Sequence, residues 1–221
     1  MSRTPFDPKF DELPEVLPIF PLAGVLLLPG GRLPLNIFEP RYLAMTRDSI
    51  LGPRLIGLVQ PCGDNQDQGA AEVYGTGCAG RMTAFSETED GRYVLTLVGL
   101  IRFDIEREIE PKEGYRRVVP RYGRYRKDMK EDAGRIDRPK LLKVLGDYFK
   151  TSGIEGNWNA IEEASDERLV TSLAMICPFE APEKQALLEA MTLSERARTI
   201  TTIMEMASHN EGEADGGPPR H

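Results

Sequence analysis

The sequence predicts an α+β fold, with strands gathered in the first half of the chain and a helical bundle in the second. Two observations predict it. Short apolar runs punctuated by Pro and Gly fill the chain up to roughly residue 120, and beyond a polar joint the apolar spacing changes from two to between three and four. The 221 residues include 40% apolar side chains and carry 28 basic against 35 acidic groups, a net charge of −7. That composition supports a proper core and excludes wholesale disorder.

The elements follow in order. An extension, 1–13, precedes Val16–Phe20 and Val25–Leu28, two apolar runs separated by Pro21 and Gly24; Arg32–Ile37 and Arg54–Gln60 are similar runs, and all four read as strands. Between the last two, Glu39–Ile50 reads as one helix, with Pro40 in the first turn where a missing N–H costs nothing. Arg92–Glu106 is the clearest strand. Tyr93, Leu95, Leu97, Ile101, Phe103 and Ile105 alternate onto one face, Arg92, Thr96, Arg102, Asp104 and Glu106 onto the other, and Gly99 marks a bulge or a close backbone approach. Its hairpin partner is Ala71–Phe85, joined through a loop whose Asp90-Gly91 is a turn signal, and Tyr115–Val119 completes the strands of a 14–120 subdomain.

A basic linker is expected over 121–136 and a helical subdomain over 137–207. Asp137 caps a helix with Leu141, Leu142, Leu145, Tyr148 and Phe149 on one stripe, ending near Gly153. Shorter helices are expected at Asn157–Glu163, Asp166–Ile176 and Pro182–Ala190, and a last one from the capping box of Thr192 and Glu195. From Ser208 the composition is that of a disordered tail.

The chemistry is bounded by what the chain lacks. His209 and His221 both fall in the last thirteen residues, so Ser–His–Asp and Cys–His machinery and His-bearing zinc sites are not expected on the folded body. Cys62, Cys78 and Cys177 form no C-x-x-C pair and read as free thiols of a cytoplasmic protein, Cys62 being the one expected to be exposed. No Gly-Lys pair exists, which excludes a Walker A loop, and no G-x-G-x-x-G opens a helix. The acids Glu87, Glu89 and Asp90 sit in a turn and read as solvated charge. No catalytic residue, metal or cofactor is expected. The apolar stretch Val16–Gly31 holds three Pro and three Gly, which deny it a membrane-spanning helix.

Two clusters remain. Arg116, Arg117, Arg121, Arg124, Arg126, Lys127 and Lys130 stand against one acid, Asp128, with Tyr115, Tyr122 and Tyr125 interleaved; phosphate grip and base stacking would make this a nucleic-acid surface, and solvated linker charge is the competing reading. Phe38, Glu39, Arg41 and Tyr42 mark the passage from a strand to a helix. They either line a groove for a peptide or serve the fold, the aromatics as core anchors and the charges as bonds around the turn.

At these residues a resemblance emerges. LPIFPLAGVLLLPGGRLPLNIFEPRYLAM, followed by GTGCAGRMTAF, GRYVLTLVGLIRFDI and LAMICPFEAPEKQALLEA, resembles the N-terminal domain of Lon (protease La) in the free-standing form found in bacteria, over roughly 14–206. The positions that match the first family motif are Pro21, Leu22, Pro29, Gly30, Pro34, Phe38, Glu39, Arg41 and Tyr42. The resemblance implies a PUA-like pseudo-barrel with one short helix, then a helical bundle, and a role in recognising substrates without the ATPase and protease modules. The expectation is a non-enzymatic module that binds unfolded or specific protein segments through an apolar groove or an unpaired strand edge, as an adaptor or chaperone-like factor, away from membranes. RNA binding through the basic stretch is the alternative, and an enzyme acting on a small ligand through carboxylates or Lys in a closed pocket is a third reading.

Overall fold

The computed structural model describes residues 4–62, 71–130 and 134–214. Six strands, β1 (Leu17–Pro21), β2 (Arg32–Ile37), β3 (Leu55–Val59), β4 (Thr76–Glu87), β5 (Tyr93–Lys112) and β6 (Tyr115–Arg121), form one sheet in the order β2-β5-β4-β3-β1-β6, and β6 pairs again with β5. That second pairing closes β5, β4, β3, β1 and β6 into a ring and leaves β2 outside it, with β5 its only neighbour among the described residues. β1 and β3 run parallel, Ile19 opposite Gly57; the return between them is made by β2 and the helix α1 (Pro40–Leu51).

The long strand β5 does not keep one face throughout. Its pairing with β4 passes from Gly80–Gly99 to Ala79–Ile101, so Leu100 is an extra residue and the side chains beyond it change sides. Leu95 and Leu97 therefore face the core shared with the helices, whereas Ile101 and Phe103 fill the barrel with Leu17, Ile19, Leu55 and Val118. Alternation predicts a single face because a period of two has no means of registering an inserted residue. The reading of Gly99 as a place of close approach is borne out: a Cβ there would collide with the carbonyl oxygen of Leu28, and its N–H donates to the Gly31 carbonyl at 2.9 Å.

Val25–Leu28 is not a strand. Leu26, Leu27 and Leu28 are all buried in succession, which an alternating strand facing one core cannot achieve, and they lie as irregular backbone between the sheet and the helices. The first part of the expected linker, 121–130, carries structure of its own. Arg121 ends β6, and Gly123–Met129 forms a 3₁₀ turn that buries Tyr125 and Met129 against the barrel.

The helices are α2 (Arg138–Thr151), α3 (Trp158–Glu163), α4 (Asp166–Ile176), α5 (Ala181–Glu189) and α6 (Leu193–Ala214). Asp137 accepts from the Lys140 N–H at 3.1 Å, Asn157 caps α3, and Thr192 and Glu195 exchange bonds at 3.1 Å, so the start signals operate as the residue types predict. α6 packs against α2, α4 and α5. It also carries on past the expected tail boundary: the Ser208 hydroxyl bonds back to the Met204 carbonyl at 2.9 Å instead of breaking the turn, and the helix continues to Ala214, with His209 exposed on it. The rest of the expected tail, 215–221, with His221, lies outside the described residues.

The barrel and bundle are locked by buried polar groups. Arg102, which alternation assigns to the polar face, is 2% exposed; its guanidinium binds Asp128 through Nε at 2.8 Å and Nη2 at 2.7 Å, and Nη1 donates to the carbonyls of Leu188 and Ala190 at the end of α5. Lys184 of α5 donates to the Gly24 carbonyl at 2.6 Å, and Gln185 donates to the Thr76 carbonyl at 3.2 Å. These bonds orient α5, and through it the bundle, on the sheet.

Candidate functional site

The outer edge of β2 has unused bonding capacity along its whole length. Gly99 and Gly31 are linked by a backbone bond, and the register continues as Arg32–Val98 through Ile37–Tyr93. In an antiparallel ladder alternate residues turn their backbone groups to the partner, so Leu33, Leu35 and Ile37 bond to β5. Arg32, Pro34 and Asn36 turn theirs outward, where no strand among the described residues meets them. Pro34 contributes a carbonyl and no N–H, which interrupts the edge and guards it against pairing with another copy. Two N–H groups and three carbonyls remain available along it.

Exposed apolar side chains stand at both ends of this edge. Phe38, directly after β2, is 63% exposed, and Val94 and the edge-on ring pair Phe85–Tyr93, 5.0 Å apart, lie exposed or half-buried on neighbouring strands. At the other end Ile176, the last residue of α4, is 79% exposed and lines a cleft of about 440 Å³ between that helix and Pro29–Arg32. The cleft brings Pro29 and Gly30, two positions of the motif singled out in the sequence, beside the start of the open edge.

The four residues proposed as a peptide site divide. Tyr42 is 3% exposed, its ring 4.3 Å from that of Phe20, with the Arg41 guanidinium 4.7 Å above it; it is a core anchor and does not reach the surface. Glu39 accepts from Nε and Nη2 of Arg41 at 3.0 and 2.8 Å, which ties the start of α1. Of the set, Phe38 alone presents an apolar surface. Sequence reasoning missed the edge of β2 itself; the signal was Pro34 inside an otherwise regular apolar run, the mark of an edge strand.

The basic stretch is taken apart by its neighbours. Arg116 pairs with Glu108 and donates to the Ala71 carbonyl, Arg117 donates to the Glu110 carbonyl, Arg121 lies 3.8 Å from Glu106, and Arg124 lies 3.7 Å from Asp104. Arg126 covers the Phe10 ring at 4.4 Å, and Lys127 is exposed. Tyr115 and Tyr125 are buried and Tyr122 is half-buried, donating to the Pro14 carbonyl at 3.3 Å. The rings that a nucleic acid would stack on face the protein, so nothing here supports the RNA alternative.

No group of three His, Cys, Asp or Glu among the described residues is placed to hold a metal ion, and no described helix is long and apolar enough to cross a membrane. Burial pushes the Cys177 thiol up to about 11 and raises that of Cys78 further; Cys62, half-buried, is raised by its own burial and by Glu72. None is a thiolate at neutral pH.

The fold and its edge define a class: a small barrel with an open-edged strand at its side, braced by a helical bundle. Comparison with known proteins assigns the family. The model of the ATP-dependent protease La (LON) substrate-binding domain matches residues 16–206, and the chain belongs to this family. Lon protease 2 of Myxococcus xanthus is 33% identical over 96 residues, 43% of this chain and 12% of that protein. Lon protease of Cytophaga hutchinsonii is 24% identical over 204 residues, 88% of this chain and 24% of that one. The matched region is thus a quarter or less of the length of these relatives. Among solved structures, a Lon N-terminal domain protein from Xanthomonas campestris aligns with a TM-score of 0.60 at 22% identity, covering 85% of this chain and 97% of that one. The N-terminal domain of the Mycobacterium avium complex Lon protease gives 0.60 at 14% identity, covering 86% and 98%. These two likenesses bear on the fold, which they share.

Proposed function

We propose that this chain binds extended segments of other proteins without cleaving them, by adding a strand to the open edge of β2, and that Phe38 anchors an apolar side chain of the bound segment. The observation that carries the reading is the outward backbone of Arg32, Pro34 and Asn36 on a strand with one neighbour. Strand addition draws its affinity from backbone bonds that every sequence can supply, which suits a binder of varied clients; the flanking apolar side chains add selectivity. Family membership supports a role in substrate recognition. The three free thiols fit a cytoplasmic setting.

Fluorescence anisotropy of a labelled unfolded polypeptide tests this. Asn36→Pro removes one outward N–H, and Phe38→Ser removes the anchor; each is expected to weaken binding about tenfold, in line with single interface residues worth 1–2 kcal/mol, with the melting temperature held within about 2 °C. Undiminished binding by both variants sinks the reading.

A further inference from the structure

The N-terminal segment lies across the outer face of the sheet where β2, β5 and β4 meet. Arg32, Val98 and Arg81 stand side by side there, one on each strand, and the first and last are cations. They line a cleft of about 400 Å³ with Pro29, Gly30, Lys130 and Glu167, continuous through Pro29–Arg32 with the cleft at the end of the β2 edge. Arg32 has no ion-pair partner among the described residues. Arg81 has one, and it comes from the far end of the chain: Asp7 accepts from its Nε at 2.6 Å, and the Thr4 hydroxyl accepts from Nη2 at 3.1 Å.

What holds this segment is almost wholly polar. Thr4, Pro5, Phe6 and Lys9 are exposed, Phe6 at 82%, so the segment buries no large apolar side chain as it crosses. Asp7, by contrast, is well enclosed, its carboxylate 12% exposed against 14% for Arg81. Burial would raise that carboxyl, but the Thr4 N–H and the Arg81 guanidinium outweigh it and hold the group below the ordinary carboxylate range. The cleft's other acids are engaged: Asp128 is gripped by Arg102, and Glu167 sits in the first turn of α4, where the helix N-terminus favours it.

We propose that this cleft is a subsite for an acidic side chain of the bound polypeptide, filled here by the chain's own Asp7, so that residues 4–9 act as an internal occupant which acidic clients displace. The proposal rests on the strand-addition reading, because a segment paired along β2 reaches the cleft at Arg32. The chain itself shows that a carboxylate fits against Arg81. The Asp7 carboxylate and the Thr4 hydroxyl tie the segment to Arg81 while Phe6 stays exposed, so a client carboxylate that takes the same guanidinium replaces the main tie like for like, and the tethered occupant competes only through its effective concentration. Arg32, unpaired beside it, gives an incoming acid a second cation that Asp7 leaves unused.

The test uses the full chain and two labelled extended peptides, identical except that two Asp in one are Asn in the other. Asp7→Asn releases the internal occupant and is expected to tighten binding of the acidic peptide about threefold to tenfold, with the amide peptide unchanged. Arg32→Gln, an exposed change that leaves the Asp7–Arg81 pair in place, is expected to reduce the preference for the acidic peptide severalfold, which keeps the test independent of any effect of Arg81→Gln on folding. Equal binding of the two peptides, or no response of the acidic one to Asp7→Asn, overturns this subsite while leaving strand addition intact. Failure of both peptides to bind any form of the protein overturns both proposals.

Discussion

Arg102 and Asp128 form a two-pronged ion pair between β5 and the 3₁₀ turn, with the backbone N–H of Arg102 donating to the same carboxylate at 3.0 Å and both side chains less than a tenth exposed. Because the remaining nitrogen reaches the end of α5, one guanidinium joins barrel, turn and bundle. Asp128 raises the Arg102 pKa against the burial that would lower it, so the cation is secure at any working pH.

Asp128→Ala leaves a buried cation without its acid, and we expect a loss of about 3–5 kcal/mol in denaturant unfolding. A joint replacement of Arg102 by Met and Asp128 by Leu should cost far less than the single change, since it removes the stranded charge. If Asp128→Ala unfolds at the same denaturant concentration as the parent, the pair does not bind the subdomains together.

Gly99→Ala forces a Cβ into the Leu28 carbonyl, a backbone atom that cannot turn aside. A loss of about 2–3 kcal/mol is expected, as for other overpacked sites. Gly75→Ala, which meets open space, is the control and should change stability by less than about 0.5 kcal/mol.

Tyr42 and Phe38 should separate stability from binding. Tyr42→Ala empties a core site and is expected to cost about 3–5 kcal/mol. Phe38→Ser touches an exposed ring and should leave stability within about 0.5 kcal/mol of the parent while weakening polypeptide binding. Paired unfolding and anisotropy measurements on both variants decide it; a stability loss for Phe38→Ser equal to that of Tyr42→Ala would merge the two roles.

The buried thiols give a pH dependence. Cys177 titrates at about 11 in the folded protein against 9.0 when exposed, so the folded state keeps a proton that the unfolded chain loses. Its contribution is therefore fully present below pH 9 and disappears as pH rises from 9 to about 11. Cys78, Tyr115 and Tyr122, raised by burial, act in the same direction. Melting temperatures measured from pH 7 to 11 should hold steady and then fall, with a shallower fall for Cys177→Ala.

Much of this architecture is legible in the residue order, because caps, turns and apolar periods act locally. Asp137, Asn157, Thr192 and Glu195 start their helices from side-chain bonds spanning three residues, and Gly91, with φ of +82°, turns the β4–β5 hairpin. What escapes is set by distant partners. Leu100 becomes a bulge only through its register with β4, Arg102 is buried only because that bulge turns it inward, and the 3₁₀ turn settles on the barrel by burying Tyr125 and Met129. The candidate site follows the same division. Phe38 was visible as an aromatic at a strand-to-helix passage, but the free edge of β2 depends on which strands close the ring, and the pairing of Asp7 with Arg81 spans 74 positions.

Amide hydrogen exchange resolved by residue, with and without a saturating unfolded polypeptide, tests strand addition to β2 most directly. The N–H groups of Arg32 and Asn36 point outward and should exchange quickly in the free protein, then gain protection on binding, while those of Leu33 and Leu35, already bonded to β5, stay slow in both states. Saturable binding that leaves Arg32 and Asn36 unprotected would contradict it.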